Sequence, residues 1–476
     1  MTLPQVKAQL GEDRPTKSLP SDTGTALLVG LADHGPVGVP TLIRSLAQYV
    51  DTFGPRVAYG SLYDTLDVAF HEGLDHAYVQ RCVGPAAVVA SKNLANSSSE
   101  TTLKAVATSA GAWANSIEVA IVEGVTEGTF HIHISYSGTL KESSPELADN
   151  TAAVAWAANS DYIRLEDDAK GDPKVQSVTL ASGADDRENV DATVFEEALS
   201  NFGADLGAAQ VAIPGNYAEA VQEAIIAHCA ANLRIPVLDS EDTEEAEPLI
   251  ANAGTLRSTD GAKQGAIFAP WDIAPGISLG TTRTVPPCAR QLGAMARVDA
   301  ESGTPDTAAA GPEQGKARYC IGLSQKFSEA DQEALNDAGV NVSILDEGTP
   351  TTFGWRSLAD PVNDRGYLPF STARLATSLA YGAKAVLRRY LFKKLDDQGT
   401  TRTNAQTDIQ NEVLKPAYEA KALFGATEAE AAGVEVTQAV NPTNGSIGSL
   451  SAVLAFVPTE FAEVIELTVT ETNEAL

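Results

Sequence analysis

Six consecutive residues, Ala26-Leu-Leu-Val-Gly-Leu31, form an unbroken apolar run. Successive side chains of a strand point to opposite faces, so such a run needs both faces covered. That is the situation of a parallel sheet flanked by helices. The neighbouring residues supply the rest of the unit. Residues 61–73 place Leu62, Leu66, Ala69 and Phe70 on one side of a helix, and residues 77–83 read as a second strand. Strand, helix, strand in this order predicts a parallel α/β layer. The same texture returns later. Helices are expected at 194–202 and 219–231, and strands at 209–213, 235–239 and 265–269.

Between these two stretches the pattern changes. After Asn96-Ser-Ser-Ser99 short segments with period two dominate to about residue 182, clearest at 116–122 and 129–135. This predicts an inserted β-rich domain. The last quarter differs again: a long amphipathic helix over 373–395, a second helical pattern over 408–424 that contains Pro416, and a strand at 449–457. We therefore expect an α/β and α+β multidomain chain. Its parts are an N-terminal arm (1–20), a discontinuous central α/β domain (21–95 and 183–345), the β-rich insertion (96–182) and a C-terminal α+β domain (346–476).

Both ends read as strands tethered beyond breakers. Leu3, Val6, Ala8 and Leu10 precede Gly11-Glu-Asp-Arg-Pro15 and Leu19-Pro20. At the other end Val464, Ile465, Leu467 and Val469 lie beyond Pro458, within a terminal segment 459–476. A strand-capable segment on a breaker-rich linker is an arm rather than part of a core.

Charge and motifs exclude more than they suggest. The 476 residues carry 33 Lys+Arg against 63 Asp+Glu, a formal charge of −30, which repels phosphate backbones and argues against direct nucleic-acid binding. There is no apolar run long enough to span a membrane, and Met1–Lys7 has no apolar signal core. Cys82, Cys229, Cys288 and Cys320 have no metal or redox spacing and read as buried hydrophobes in a reducing compartment. Gly311-Pro-Glu-Gln-Gly-Lys316 is one residue short of a phosphate loop and lacks its Ser/Thr. His131 and His133 share a strand face without an obvious third ligand; His71 and His76 are five apart, not the zincin spacing of four. The acidic run from Asp239 to Glu247 reads as a solvated loop. No catalytic residue, metal ligand or cofactor is assigned. One local reversal stands out: 373–395 holds six basic residues, Arg374, Lys384, Arg388, Arg389, Lys393 and Lys394, and no acid. It suits either a solvated helix face or docking onto an acidic partner.

Several blocks resemble the contractile tail sheath proteins of bacteriophages and related injection machines. Ala26-Leu-Leu-Val-Gly-Leu-Ala-Asp-His-Gly-Pro-Val37, Pro40-Thr-Leu-Ile-Arg-Ser45 and Tyr49-Val-Asp-Thr-Phe-Gly54 resemble the family's opening. Tyr78–Val83 resembles its next core strand, and Gly111-Ala-Trp-Ala-Asn115 the start of its inserted domain. The most specific block is Ala269-Pro-Trp-Asp272, Val285-Pro-Pro-Cys288, Gly293-Ala-Met-Ala-Arg297 and Asp299. Leu335–Asn341, Gly354-Trp-Arg-Ser-Leu358, Leu423-Phe-Gly425 and Pro458–Ile465 come next in order. Cys288 stands where Ser is usual, and Phe353-Gly-Trp-Arg is an uncommon form.

The resemblance implies a structural, non-enzymatic subunit without cofactors. It implies hexameric rings stacked in a helical cylinder around a tail tube, with baseplate and tail terminator proteins as further partners. It places the protein in the virion tail, assembled in the host cytoplasm, contracting by rigid-body rearrangement to drive the tube through the host envelope for genome delivery. The terminal strands would add to neighbours' sheets, and Lys384, Arg388, Arg389, Lys393 and Lys394 would face the tube. A gain of about 1–3 kcal/mol per subunit would suffice when many switch together. The alternatives are the sheath of a cell-encoded injection particle, a static shell protein, or an α/β enzyme with an unrecognised site.

Overall fold

The computed structural model describes residues 23–439 and 448–461. The expected arm residues Leu3, Val6, Ala8, Leu10, Val464, Ile465, Leu467 and Val469 lie outside them. The chain divides into two compact units. The larger comprises residues 22–301 and 308–377, and the smaller 302–307 and the described residues from 378 onward.

The larger unit is built on one eight-stranded mixed sheet. Its order is Thr349–Thr352, Val340–Asp346, Ala266–Ala269, Ile235–Asp239, Gln210–Ala212, Ala26–Gly30, Ala77–Arg81 and Thr41–Ile43. The inner strands are all parallel and the two outermost antiparallel. The apolar run at the start of the chain sits inside this sheet. Ala26 and Leu28 pack into one core with Leu62, Leu66, Leu292 and Met295. Leu27 and Val29 pack into the other with Phe195, Ile225, Leu249 and Leu335. One face is thus covered by helices Leu46–Phe53, Leu62–Glu72 and Pro287–Ser302, the other by Ala192–Ser200, Glu219–Asn232, Ala246–Leu256 and Glu329–Asp337. This is the doubly covered parallel layer that an unbroken apolar strand requires.

The insertion has its own core around Leu103, Trp113, Val119, Ile132 and Ile163. Two antiparallel sheets surround it. One orders Gln176–Thr179, Ile117–Glu123, Phe130–Tyr136 and Thr139–Ser143, the other Ser91–Ala95, Thr101–Ala107 and Ile163–Asp167, with helix Asn150–Ala157 beside them. Its first strand begins before residue 96. Side chains fasten it to the sheet domain: Tyr136 donates its hydroxyl to Asp33 at 3.0 Å, Arg81 donates to the Ala110 carbonyl at 2.8 Å, and His34 lies 4.8 Å from Trp113.

Residues 346–377 belong to the unit of the large sheet. Strand Thr349–Thr352 pairs with Val340–Asp346, and Trp355 and Phe370 lie in the first core. The smaller unit begins at Ser378, inside helix Phe370–Arg388. It continues through helix Thr400–Ile409, a π-turn Gln410–Leu414 and helix Lys415–Glu419. The widened turn lies just before Pro416, whose ring and missing N–H do not fit a continuous α-helix. The unit closes with an antiparallel pair, Ala432–Ala439 and Ser449–Phe456.

Candidate functional site

No cluster of His, Cys, Asp and Glu suited to a metal exists among the described residues. The thiols are structural. Burial pushes Cys82 up to about 12 and Cys288 well above the ordinary value, the opposite of an activated nucleophile. Lys316 of the imperfect phosphate loop pairs with Glu347 at 3.0 Å. His131 and His133 stack at 6.3 Å, their Nδ1 atoms engaged with the Ser144 carbonyl and the Ser143 hydroxyl.

The block that carried the resemblance forms a buried polar hub. Asp272 and Arg290 are fully enclosed and paired at 2.9 Å. Arg290 also donates to the hydroxyls of Thr352 at 2.7 Å and Ser343 at 2.5 Å. Burial pushes Asp272 up to about 6 against the pull of Arg290. Asp299 accepts from Arg374 at 2.5 Å. Glu72, also enclosed, accepts the backbone N–H groups of Arg318 and Tyr319 at 3.0 and 2.9 Å. Asp239 accepts from Gly215 and Cys288 at 2.8 and 2.7 Å, which ties the end of a strand to the start of helix Pro287–Ser302. Gly293 lets that helix touch helix Leu62–Glu72: an added Cβ would lie 2.4 Å from the Ala69 carbonyl oxygen. Such a hub disfavours repacked alternatives, because a buried charge that loses its partner is costly.

The six basic residues of 373–395 separate. Arg374 is fully buried in the hub and is not a surface charge. The helix ends at Arg388 rather than near residue 395. Arg389 and Tyr390 donate to carbonyls only three residues back, and Phe392 adopts a left-handed φ of 62°. Lys393 and Lys394 therefore lie in the turn beyond the helix. Lys384 and Arg388, four apart on the helix, are exposed on one side. Arg389 turns to acids of its own unit, Glu412 at 2.9 Å and Asp408 at 3.6 Å. Leu391, within the span expected to be helical, is 65% exposed, and Phe392 is fully exposed.

Sequence reasoning missed strand Ala432–Ala439, although Val434 and Val436 carry its period of two. Ala432, Val434 and Val436 point inward. Opposite them Leu454 and Ala452 are half-buried, and Val453 faces out at 65% exposure. Both strands are eight residues long, and among the described residues neither has a second neighbour. A two-stranded sheet with long open edges is marginal alone and is a template for added strands.

No family model and no curated protein matches this sequence. Solved structures do match, over nearly the whole chain. The crystal structure of a sheath tail protein from Desulfitobacterium hafniense superimposes with a TM-score of 0.62 at 13% identity, covering 95% of this chain and 100% of that one. A sheath tail protein from Listeria innocua gives 0.63 at 11% identity, covering 93% and 97%. The contracted helical sheath of the anti-feeding prophage gives 0.54 at 16% identity, covering 99% and 100%. The mixed α/β fold is that of contractile sheath proteins. Among its described residues, no helix is long and apolar enough to cross a membrane.

Proposed function

We propose that this chain is the structural subunit of a contractile sheath: a non-enzymatic, cofactor-free protein that polymerises with itself around a tail tube. The observation that carries this reading is the likeness to sheath proteins over nearly the full length. The open-edged sheet of the smaller unit supports it. Its two edges suit the terminal strands of neighbouring copies, Leu3–Leu10 and Val464–Val469, joined by main-chain hydrogen bonds that ask little of sequence. Hexameric rings stacked helically, with baseplate and tail terminator proteins at the ends, complete the assembly. The enclosed ion pairs keep each subunit rigid while linkers let neighbours shift.

Lys384 and Arg388 are the tube-facing pair in this reading, with Lys393 and Lys394 beside them in the turn; Arg389 is more committed to Glu412 and Asp408. The particle is a phage tail that delivers a genome, within a virion assembled in the host cytoplasm. A second reading is the sheath of a cell-encoded contractile injection particle, supported by the likeness to the anti-feeding prophage sheath. The anti-feeding prophage sheath aligns with 99% of this chain, against 95% and 93% for the two sheath tail proteins. Electron microscopy of the purified protein, alone and with its tube protein, tests the assembly. Hollow cylinders or stacked sixfold rings are expected, and monomers in every sample, baseplate included, overturn it. Reversing Lys384 and Arg388 to Glu should abolish assembly on tube and leave the fold intact; unchanged co-assembly removes the tube assignment.

A further inference from the structure

The insertion carries a pocket of about 280 Å³ lined by Glu142, Ser143, Trp156, Asn159 and Ser160. It opens between strand Thr139–Ser143, at the edge of its sheet, and the turn that follows helix Asn150–Ala157. One acceptor there is unspent. Glu142 Oε1 accepts the N–H of Asp161 at 2.8 Å, while Oε2 is buried without a partner. A buried carboxylate oxygen in that state is costly unless a donor reaches it. Trp156 is half-buried: it packs against the core of the insertion and also lines the pocket. Ser143 and Asn159 are exposed, and the Ser143 hydroxyl lies 2.9 Å from His133 Nδ1.

The turn beside the pocket is pinned from several sides. The N–H and the hydroxyl of Thr108 donate to the carbonyls of Tyr162 and Asp161 at 3.0 and 2.8 Å. The Ser160 hydroxyl accepts the N–H groups of Tyr162 and Ile163, each at 3.1 Å. Arg164 Nη1 donates to the carbonyls of Ala157, Ser160 and Ile163. Geometry set in advance lowers the ordering cost of binding.

The lining sorts ligand classes. Of its five residues only Glu142 is charged, so phosphates, sulfates and carboxylates are repelled. Asp161 and Arg164 in the adjoining turn add one charge of each sign. An apolar ligand would leave Glu142 Oε2 unmatched. A cation would suit Glu142 and Trp156, but it presents donors alone, whereas Asn159 and the serines offer donors and acceptors. The volume lies below the roughly 300 Å³ at which pockets for drug-sized ligands begin, so it takes one ring rather than an extended chain. A sugar ring meets each condition: an apolar C–H face for the indole, and hydroxyls that both donate and accept around its edge.

We infer that this pocket binds one ring of a neutral saccharide, its apolar face against Trp156 and its hydroxyls on Glu142, Asn159 and Ser143. The site is independent of assembly, so its test and that of the sheath reading fail separately.

The test uses the full chain with glucose, galactose, mannose and N-acetylglucosamine, each free and as its methyl glycoside, titrated by saturation-transfer NMR. At least one should bind saturably with a Kd of about 1 mM. Glu142→Gln, which keeps an acceptor for Asp161, should weaken it about fivefold, and the exposed Asn159→Ala about threefold. Trp156→Ala should weaken it about tenfold, and Trp156→Phe, which restores an aromatic face, should return to within about threefold of wild type. Circular dichroism reports that each variant is folded. Equal affinity for free and methylated forms supports a linked glycan residue, and loss on methylation supports a free sugar; the saccharide inference stands in both. Absence of saturable binding by every probe overturns it, as does binding that Glu142→Gln and Asn159→Ala both leave unchanged. Displacement of the bound sugar by an equal concentration of methylguanidinium also overturns it, because that marks a cation site.

Discussion

Replacing Gly293 by Ala should destabilise this protein, although the same change elsewhere in a helix should strengthen it. Gly293 lies in the interior of helix Pro287–Ser302. An added methyl group would sit 2.4 Å from the Ala69 carbonyl oxygen and 2.6 Å from Glu72 Cβ. Carbon contacts relax near 3.5–4.0 Å, so the helices must part by roughly 1 Å. The obstacle is partly backbone and cannot rotate away. Overpacking of this kind costs about 3 kcal/mol, and the better helix propensity of Ala returns about 1 kcal/mol. The expected net loss is about 2 kcal/mol. Gly254, in helix Ala246–Leu256, is the control, because a Cβ there meets nothing within 4 Å. Gly254→Ala should gain up to about 1 kcal/mol. Urea unfolding of the dispersed subunit, monitored by circular dichroism, reads both. The reasoning is refuted if Gly293→Ala unfolds at or above the wild-type midpoint, or if both variants move the same way.

Three further outcomes concern enclosed groups. Glu72→Gln leaves a donor facing the Arg297 side and the N–H groups of Arg318 and Tyr319, and should lose about 2–4 kcal/mol in the same titration; a loss below about 1 kcal/mol is the contrary result. Burial, then the nearby Arg234, hold His228 down to about 4 from the ordinary 6.5. The unfolded chain therefore takes up the proton first. Stability should fall as pH drops through this window, by at most roughly 3 kcal/mol and about 2 kcal/mol after solvent screening. His228→Gln keeps an acceptor for Arg234 Nη1 and should flatten that slope; an unchanged slope removes His228 as its source. Tyr136→Phe deletes the hydroxyl bonded to Asp33 and should loosen the insertion by about 1 kcal/mol, seen as faster hydrogen exchange at Trp113 and Ile134 with the large sheet unaffected.

The elements legible in the sequence are the periodic ones. Leu27, Leu28 and Val29 announce a strand covered on both faces because the apolar run is too short for a buried helix and is followed by a helix and a second strand in βαβ order. The paired strands Ile117–Glu123 and Phe130–Tyr136 alternate because only one of their faces is buried. Helix Pro287–Ser302 carries no such signal. Its residues from Pro287 to Asp299 are all buried, polar ones included, so there is no apolar stripe to find. Arg290, Arg297 and Asp299 read as surface charges until the fold supplies Asp272, Glu72 and Arg374 from distant positions. Arg374 misleads in the same way. Composition counts it toward a basic face, while its partner lies 75 residues earlier in the chain. The end of the 370–388 helix is also hidden, because Arg389 to Leu395 keep good helix formers and the stop is made by a left-handed Phe392.

These cases share a cause that bears on function. In the proposed sheath, a subunit that changes neighbours without changing shape needs its specificity inside and its compliance at the edges. Enclosed charges suit the first task. A pair such as Arg290 and Asp272 adds little net stability over apolar packing, but any repacked alternative strands a charge and is strongly disfavoured. Open strand edges suit the second, because main-chain pairing binds without fixing which side chains meet. Under that proposal the most informative residues are of two kinds: buried charges, whose partners lie far along the chain, and edge strands, whose partners would lie in a neighbouring copy. Local pattern can show the alternation of such a strand, as Val434 and Val436 do, but it names neither kind of partner.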